Sequence, residues 1–425
     1  MTKLDKVKLG DLTEIARGSS PRPITNQAYF VGGSIPWVKI ADATASVKYI
    51  YQTKQYVNDY GASFSRKLPS GSLIVSASGV SLGFAIFLGV EGCVHDGWIY
   101  FKYIDESKLN KDYLYFLLNT FTRSFHAVSY GAAIQNINTG ILRETEVPLP
   151  ELNAQKKIAA VLSAYDDLIE NNKRRIVLLE KMAEEIYREW FVRFRFPGYK
   201  TAEFEKGIPK DWGYEKLDHL CIVIKRGISP KYDDESLRVV INQKCIRNGR
   251  IDLSLARLHD TKTPKEKYIK FSDALINSTG VGTLGRVSVV EFEPEKITCD
   301  SHVTICRANS EKINPQYLAV TVTQLQQYFE FMASGSTGQV ELNRSLISGI
   351  KIRVPNREIQ DKYSERVIDI WCQKQNLLQA NENLNKTKEM LLPRLISGKL
   401  SVADLDIQLP PSMMDEVTST EKSVA

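Results

Sequence analysis

The sequence predicts an α+β fold: two strand-rich domains joined by two long antiparallel coiled-coil helices and related by an internal pseudo-twofold repeat. Three observations predict it. At 425 residues the chain exceeds one ordinary core, at roughly 150 residues per domain. Motifs recur in the same order about half a chain apart. Two long stretches without Gly, the second holding a single Pro at Pro393, carry residues in alternating steps of four and three, the period of a coiled-coil seam.

The repeat is legible motif by motif. Residues 71–83 (GSLIVSASGVSLG) resemble residues 273–285 (DALINSTGVGTLG), an offset of 202 between Gly83 and Gly285. Tyr113 answers Tyr317 and Gln135 answers Gln339 at an offset of 204, and Gln155 answers Gln360 at 205. Near the start of each copy, Arg17, Gly18 and Pro21 are matched by Arg226, Gly227 and Pro230.

Residues 1–150 and 209–355 hold short β-branched and aromatic runs broken by Gly and Pro, which predicts two strand-rich domains with a few helices, such as 111–120 and 314–327. Residues 151–195 and 356–402 read as helical spacers of roughly 40 residues, about 60 Å at 1.5 Å per residue. Residues 196–208 read as a linker. The polar stretch 403–425, with Pro410-Pro411, is expected to be disordered.

The first seam runs from Ile158 through Ile176 to Trp190, the second from Tyr363 through Lys374 and Lys388 to Leu395. Packed antiparallel, facing residues have numbers summing to about 553, so Ile158 meets Leu395, Trp190 meets Tyr363 and Asn172 faces Asn381. An amide facing an amide satisfies both groups and penalises slipped registers. The alternative is that both amides turn to water.

Composition narrows the function classes. A hydrophobic fraction of 43% with 25% charged residues excludes wholesale disorder. No secretory leader is legible, and the longest apolar stretches, such as 83–90, fall far short of the ~20 residues that cross a bilayer, so a cytoplasmic protein is expected. Six scattered cysteines without a CxxC pair predict neither disulfide nor zinc. The net charge of +6 permits an anionic partner without identifying one.

Residues 280–285 fit G-x-G-x-x-G, but a dinucleotide site needs a helix after the glycines, and residues 286–290 read as strand. A glycine turn between strands is expected there. No phosphate loop, nucleophile elbow or zinc-protease pair occurs. His95-Asp96 and Asp300 with His302 occupy related places in the two copies and read as structural pairs. No catalytic, cofactor-binding or metal-ligating residue is expected in this chain.

What remains is loop chemistry suited to polar surfaces, nucleic acid among them. Arg, Lys, Asn and Gln read base edges and hold phosphates, while Ser, Thr and glycine amides reach the backbone. In the first copy the candidates are Arg17, Ser19, Arg22, Lys39, Ser78, Ser81, Gln135, Asn136 and Asn138. In the second they are Lys225, Arg226, Lys231, Gln243, Lys244, Arg247, Arg250, Thr283, Arg286, Gln339 and Asn343.

Together these motifs, with residues 35–42 (IPWVKIAD), 240–249 (VINQKCIRNG), 189–194 (EWFVRF) closing the first helix and 391–398 (LLPRLISG) closing the second, resemble the specificity (S) subunit of type I restriction-modification systems. The likeness covers residues 7–402. It implies two target recognition domains, each reading one half of a split, asymmetric site in double-stranded DNA. It also implies two methylation subunits as partners and restriction subunits that join them, with S-adenosylmethionine, Mg and ATP bound by those other chains. On this reading the chain is non-catalytic and has no membrane partner. The second copy lacks the Trp-Phe-Val close of the first, so the two partner-binding ends need not be equivalent. The competing readings are an enzyme acting on DNA by itself, for which the sequence supplies no site, and a coiled-coil protein scaffold without DNA readout.

Overall fold

The computed structural model describes residues 6–44, 46–79, 81–129, 136–334, 341–410 and 413, the side chains of 123–129 and 333–334 excepted. Two compact units result, Met1–Lys173 with Ala380–Ala425, and Arg174–Gln379. Each long helix contributes one stretch to each unit.

In the first unit, strands β1 (Thr13–Arg17), β2 (Ile35–Val38), β3 (Tyr49–Ile50), β4 (Tyr56–Val57), β5 (Arg66–Leu68), β6 (Leu73–Ser76), β7 (Ala85–Leu88), β8 (Gly92–Val94) and β9 (Trp98–Ile104) build two sheets. Their orders are β1-β9-β6-β7-β3 and β4-β2-β8-β5. Strands β6 and β7 are buried along their whole length, which is why they read as continuous apolar runs without alternation.

In the second unit the order is repeated. Strands β10 (Cys221–Arg226), β11 (Val239–Ile241), β12 (Arg250–Ile251), β13 (Arg257–Leu258), β14 (Ala274–Asn277), β15 (Val287–Val289), β16 (Ile297–Cys299) and β17 (Val303–Ala308) include a sheet β10-β17-β14-β15, the counterpart of β1-β9-β6-β7. A second sheet, β13-β11-β16, pairs β11 parallel to β16, as β2 pairs parallel to β8.

The repeated Tyr and Gln tie each strand-rich domain to its helix. Asn110 and Asn314 cap the helices that carry Tyr113 and Tyr317, their Oδ1 atoms accepting from the tyrosine amides at 2.9 and 3.2 Å. The hydroxyls of Tyr113 and Tyr317 donate to the carbonyls of Pro148 and Arg353. Gln155 and Gln360, both fully buried, accept from the amides of Asn110 and Asn314 at 2.8 Å, and their own amides donate to Pro150 and Pro355. A buried carboxamide must satisfy donor and acceptor alike, and these do so identically in both copies.

The long helices are Leu152–Tyr187, continued by one π turn over Arg188–Val192, and Arg357–Ile396. Every predicted seam position is buried or half-buried. In the first unit Ile158, Leu162 and Leu395 share the core with Leu73, Val75, Phe87 and Leu114. Asn172 donates through Nδ2 to Asn381 Oδ1 at 2.9 Å. In the second unit Trp190, Phe191, Tyr363 and Val367 pack with Tyr317 and Trp212, the Trp190 and Tyr363 rings 6.1 Å apart. The aromatic close of the first helix thus fills a core, whereas Leu391 and Leu395 close the second with aliphatic packing.

The tail departs from the expected disorder as far as it is described. Val402 and Met413 are buried against the first unit's core with Ile407 and Leu409 beside them, and Lys157 Nζ donates to the carbonyls of Ala403 and Leu405 at 2.8 Å. Apolar residues spaced among polar ones give no periodic signal, yet each covers part of the core.

The Asn pair yields a prediction. Asn172→Leu strands the Asn381 amide at a seam, which is expected to cost about 1–3 kcal/mol. The double variant N172L/N381L leaves no amide unpaired and is expected to melt above N172L in thermal unfolding. Equal melting of all three chains would remove the register role.

Candidate nucleic-acid interface

Four turns meet at one edge of each strand-rich domain. The first follows β1 or β10 and carries the repeated Arg-Gly. The second joins β8 to β9 or β16 to β17 and carries His95-Asp96 or Asp300 and His302. The third is the glycine turn from β6 to β7 or from β14 to β15. The fourth precedes the short helix Thr139–Glu144 or Arg344–Gly349.

Backbone hydrogen bonds fasten them identically. Gly18 and Gly227 donate to the carbonyls of Trp98 and Val303, and Ala77 and Ser278 donate to those of Gly97 and His302, at 2.8–3.0 Å. Ile137 and Leu342 in turn donate to the carbonyls of Ala77 and Ser278, at 2.8 and 2.9 Å. Sequence-distant segments with the same chemistry are thereby gathered onto one rim in each copy.

The repeated glycine is required by this closeness. A Cβ on Gly18 would lie 2.2 Å from the His95 carbonyl oxygen, and one on Gly227 would lie 1.8 Å from that of Cys299. Gly227→Ala must push the Arg-Gly turn off its neighbour. We expect a cost of about 1–3 kcal/mol and weakened DNA binding, with Gly213→Ala, whose added Cβ meets nothing within 4 Å, as the silent control. Thermal unfolding and a DNA-binding titration check both; equal behaviour of the two variants would refute the packing argument.

The expected contact residues divide by what they already hold. Arg17 Nε donates to the Asp96 carbonyl at 2.7 Å, Ser19 Oγ donates to the Phe64 carbonyl, and Lys39 Nζ stands 5.1 Å over the Trp37 ring. Arg22 is ion-paired with Asp96, which also accepts from Ser20. Partial burial would raise the Asp96 carboxyl, but Ser20 and Arg22 outweigh it and hold the group below its usual range. His95 is pushed down by burial, and its Nδ1 accepts from the Gly97 amide. Ser78 bridges to Asn136, and Ser81 stands in the glycine turn.

In the second copy Lys225 pairs with Glu266 at 3.6 Å and Arg226 with Glu341. Arg286 donates to the Gly282 carbonyl at 2.7 Å, and Thr283 Oγ1 donates to that of Gly280. Gln243 and Lys244 lie beside this turn, because the Asn277 amide donates to both the Gln243 and Thr283 carbonyls at 3.0 Å. Asp300 is raised by burial, although it accepts from the His302 amide, and His302 Nδ1 lies 2.5 Å from Thr279 Oγ1. Arg17, Lys39, Lys231, Lys244, Arg247 and Arg286 carry no ion pair among the described residues.

Five of the expected contact residues stand apart from the rest. Arg250 is committed elsewhere: its Nε and terminal nitrogen both reach Glu180 of the first long helix at 2.6 Å. Asn138 and Asn343 are helix caps, their Oδ1 atoms accepting from the amides of Ile141 and Leu346. Gln135 and Gln339 lie outside the described residues. Sequence reasoning missed Asn277 as the clamp between two loops and Glu341 as the partner of Arg226. The only advance signal for Asn277 was that the copies differ around that point of the motif.

Among the described residues no cluster of His, Cys, Asp and Glu has the makings of a metal site, and no helix is long and apolar enough to cross a membrane. The glycine turns run from strand to strand, as the sequence predicted, so no helix terminus faces a phosphate there.

A duplicated strand-rich domain with a basic, polar rim of turns, mounted on paired helices, defines a class, and comparison with known proteins identifies it. Residues 1–181 and 209–376 match the family model described as type I restriction modification DNA specificity domain, and the chain belongs to that family. It is similar to the type I restriction enzyme MjaIX specificity subunit of Methanocaldococcus jannaschii, 26% identical over 423 residues and covering 94% of each chain. The type I restriction enzyme EcoBI specificity subunit of Escherichia coli is 21% identical over 330 residues, covering 70% of this chain and 67% of the other. The fold is shared with the crystal structure of the type I restriction-modification S subunit from M. genitalium, with a TM-score of 0.61 at 15% identity over 93% of this chain and 97% of the other.

Proposed function

We propose that this chain is the sequence-specific DNA-recognition subunit of a type I restriction-modification complex. Each strand-rich domain reads one half of a split, asymmetric site, and the chain docks methylation and restriction subunits without catalysing a reaction itself. S-adenosylmethionine, Mg and ATP belong to those partners. The observation that carries the reading is the twice-built rim, where turns bearing Arg, Lys, Ser and Gln are bonded into one surface and Arg17 and Arg286 carry no ion pair among the described residues. Unpaired cations hold phosphates, and amides and hydroxyls read base edges.

The test is an exchange of domains. Replacing residues 6–150 by the corresponding domain of a relative, in cells that also express the methylation subunits, is expected to change one half of the methylated sequence and leave the other intact. Long-read methylome sequencing reads the result. An unchanged methylated sequence would instead favour a protein scaffold without DNA readout.

A further inference from the structure

Val281 is 99% exposed, and no other large apolar side chain among the described residues is as open to water. It stands at the tip of the second domain's glycine turn between Gly280 and Gly282, whose φ values of 108° and 73° suit glycine alone. The turn is held firmly. Thr283 and Leu284 donate to the Gly280 carbonyl at 3.2 and 3.0 Å, Arg286 holds that of Gly282, and the fully buried Asn277 ties Thr283 to the Gln243 loop. A Cβ on Gly280 would lie 3.4 Å from Gln243 Cγ, so the Gln243 side chain runs along the turn. One rigid projection therefore presents a valine at its tip with a carboxamide and a guanidinium beside it.

A β-branched apolar group fixed in water gains free energy only when something apolar covers it. On the rim of a DNA reader, the apolar feature of the major groove is the thymine 5-methyl, and the base whose edge suits a glutamine is adenine. We propose that Val281 packs on the 5-methyl group of a thymine in the half-site read by the second domain, making it a specificity-determining residue. The proposal rests on the DNA-reading function above.

The test uses the full chain assembled with its methylation subunits and duplexes in which each thymine of the second half-site is replaced in turn by deoxyuridine, which lacks only the methyl. One replacement is expected to weaken binding about fourfold, the worth of one buried methyl-sized group. Val281→Ala, at an exposed position that leaves folding untouched, is expected to bind that duplex and its thymine parent equally. A second half-site without thymine, a wild-type chain indifferent to every replacement, or a V281A chain that keeps the penalty overturns the proposal. The domain exchange separates the two ideas: if each half of the methylated sequence follows its domain while V281A retains the penalty, only the thymine contact is lost.

Discussion

Lys374→Met is expected to destabilise the second unit by about 3–5 kcal/mol, the cost of stripping a buried ion pair of one partner. The lysine is 5% exposed, ion-paired with Glu291 and 3.4 Å from Glu180, which in turn holds Arg250. Two cations and two carboxylates balance, and methionine fills the space while leaving one negative charge over. Burial already raises Glu291 above the ordinary carboxyl value of 4.5, with Lys374 pulling it back, so losing the lysine raises it further. The sign follows: a carboxyl whose folded pKa is raised is penalised while ionised and relieved as it takes up a proton. The deficit of K374M relative to wild type is therefore full at about pH 8 and shrinks as the pH falls toward 4.5. Against its own burial Glu180 is held low by Arg250 as well as by Lys374, and in K374M the Arg250 pairing persists over that window. Thermal melts across pH check the trend, and K374M/E291Q, with the stranded charge removed, is expected to recover part of the loss. A double variant no more stable than K374M would contradict the charge argument.

The second large effect is expected at Asp273→Asn. Asp273 is 1% exposed and Arg307 8%. The guanidinium meets both carboxylate oxygens, Nε to Oδ1 at 2.8 Å and a terminal nitrogen to Oδ2 at 2.7 Å, and donates to the carbonyl of Tyr268 at 2.6 Å. An amide in place of the carboxylate turns one acceptor into a donor facing a donor and leaves the guanidinium charge buried without a counterion. We expect a loss of about 3–5 kcal/mol, read as a lower melting temperature of the second unit. D273N/R307M, which removes the charge together with its partner, is expected to be milder than D273N. Greater damage from the double variant would show that Arg307 contributes mainly packing.

The periodic features were legible from the amino acids and the solitary ones were not. A seam repeats its spacing over nine steps, so the helices and the facing of Asn172 by Asn381 followed from counting. Lys374 and Lys388 were legible as seam positions, but not their pairing with Glu180, Glu291 and Asp166, because the phase of a heptad carries no information about the carboxylates that neighbouring elements bring. Arg250 read as a surface cation because its partner lies 70 residues earlier in sequence. The buried pair of Asp273 and Arg307 was equally hidden, since the first copy has Ser72 at the place that Asp273 holds in the second. At the rim, the duplicated Arg-Gly turn was visible as a motif, whereas its reason, a carbonyl within touching distance of the glycine, arises only when β8 and β9, or β16 and β17, fold against it.

The ordered stretch after the second long helix has a practical consequence. An investigator trimming the gene for crystallisation would naturally place a stop codon after Val402, since everything downstream reads as polar filler. That cut would strip Ile407, Leu409 and Met413 from the first unit and uncover part of its core. Such a shortened product is expected to precipitate, and expression vectors for this chain are better designed with the carboxyl terminus left whole.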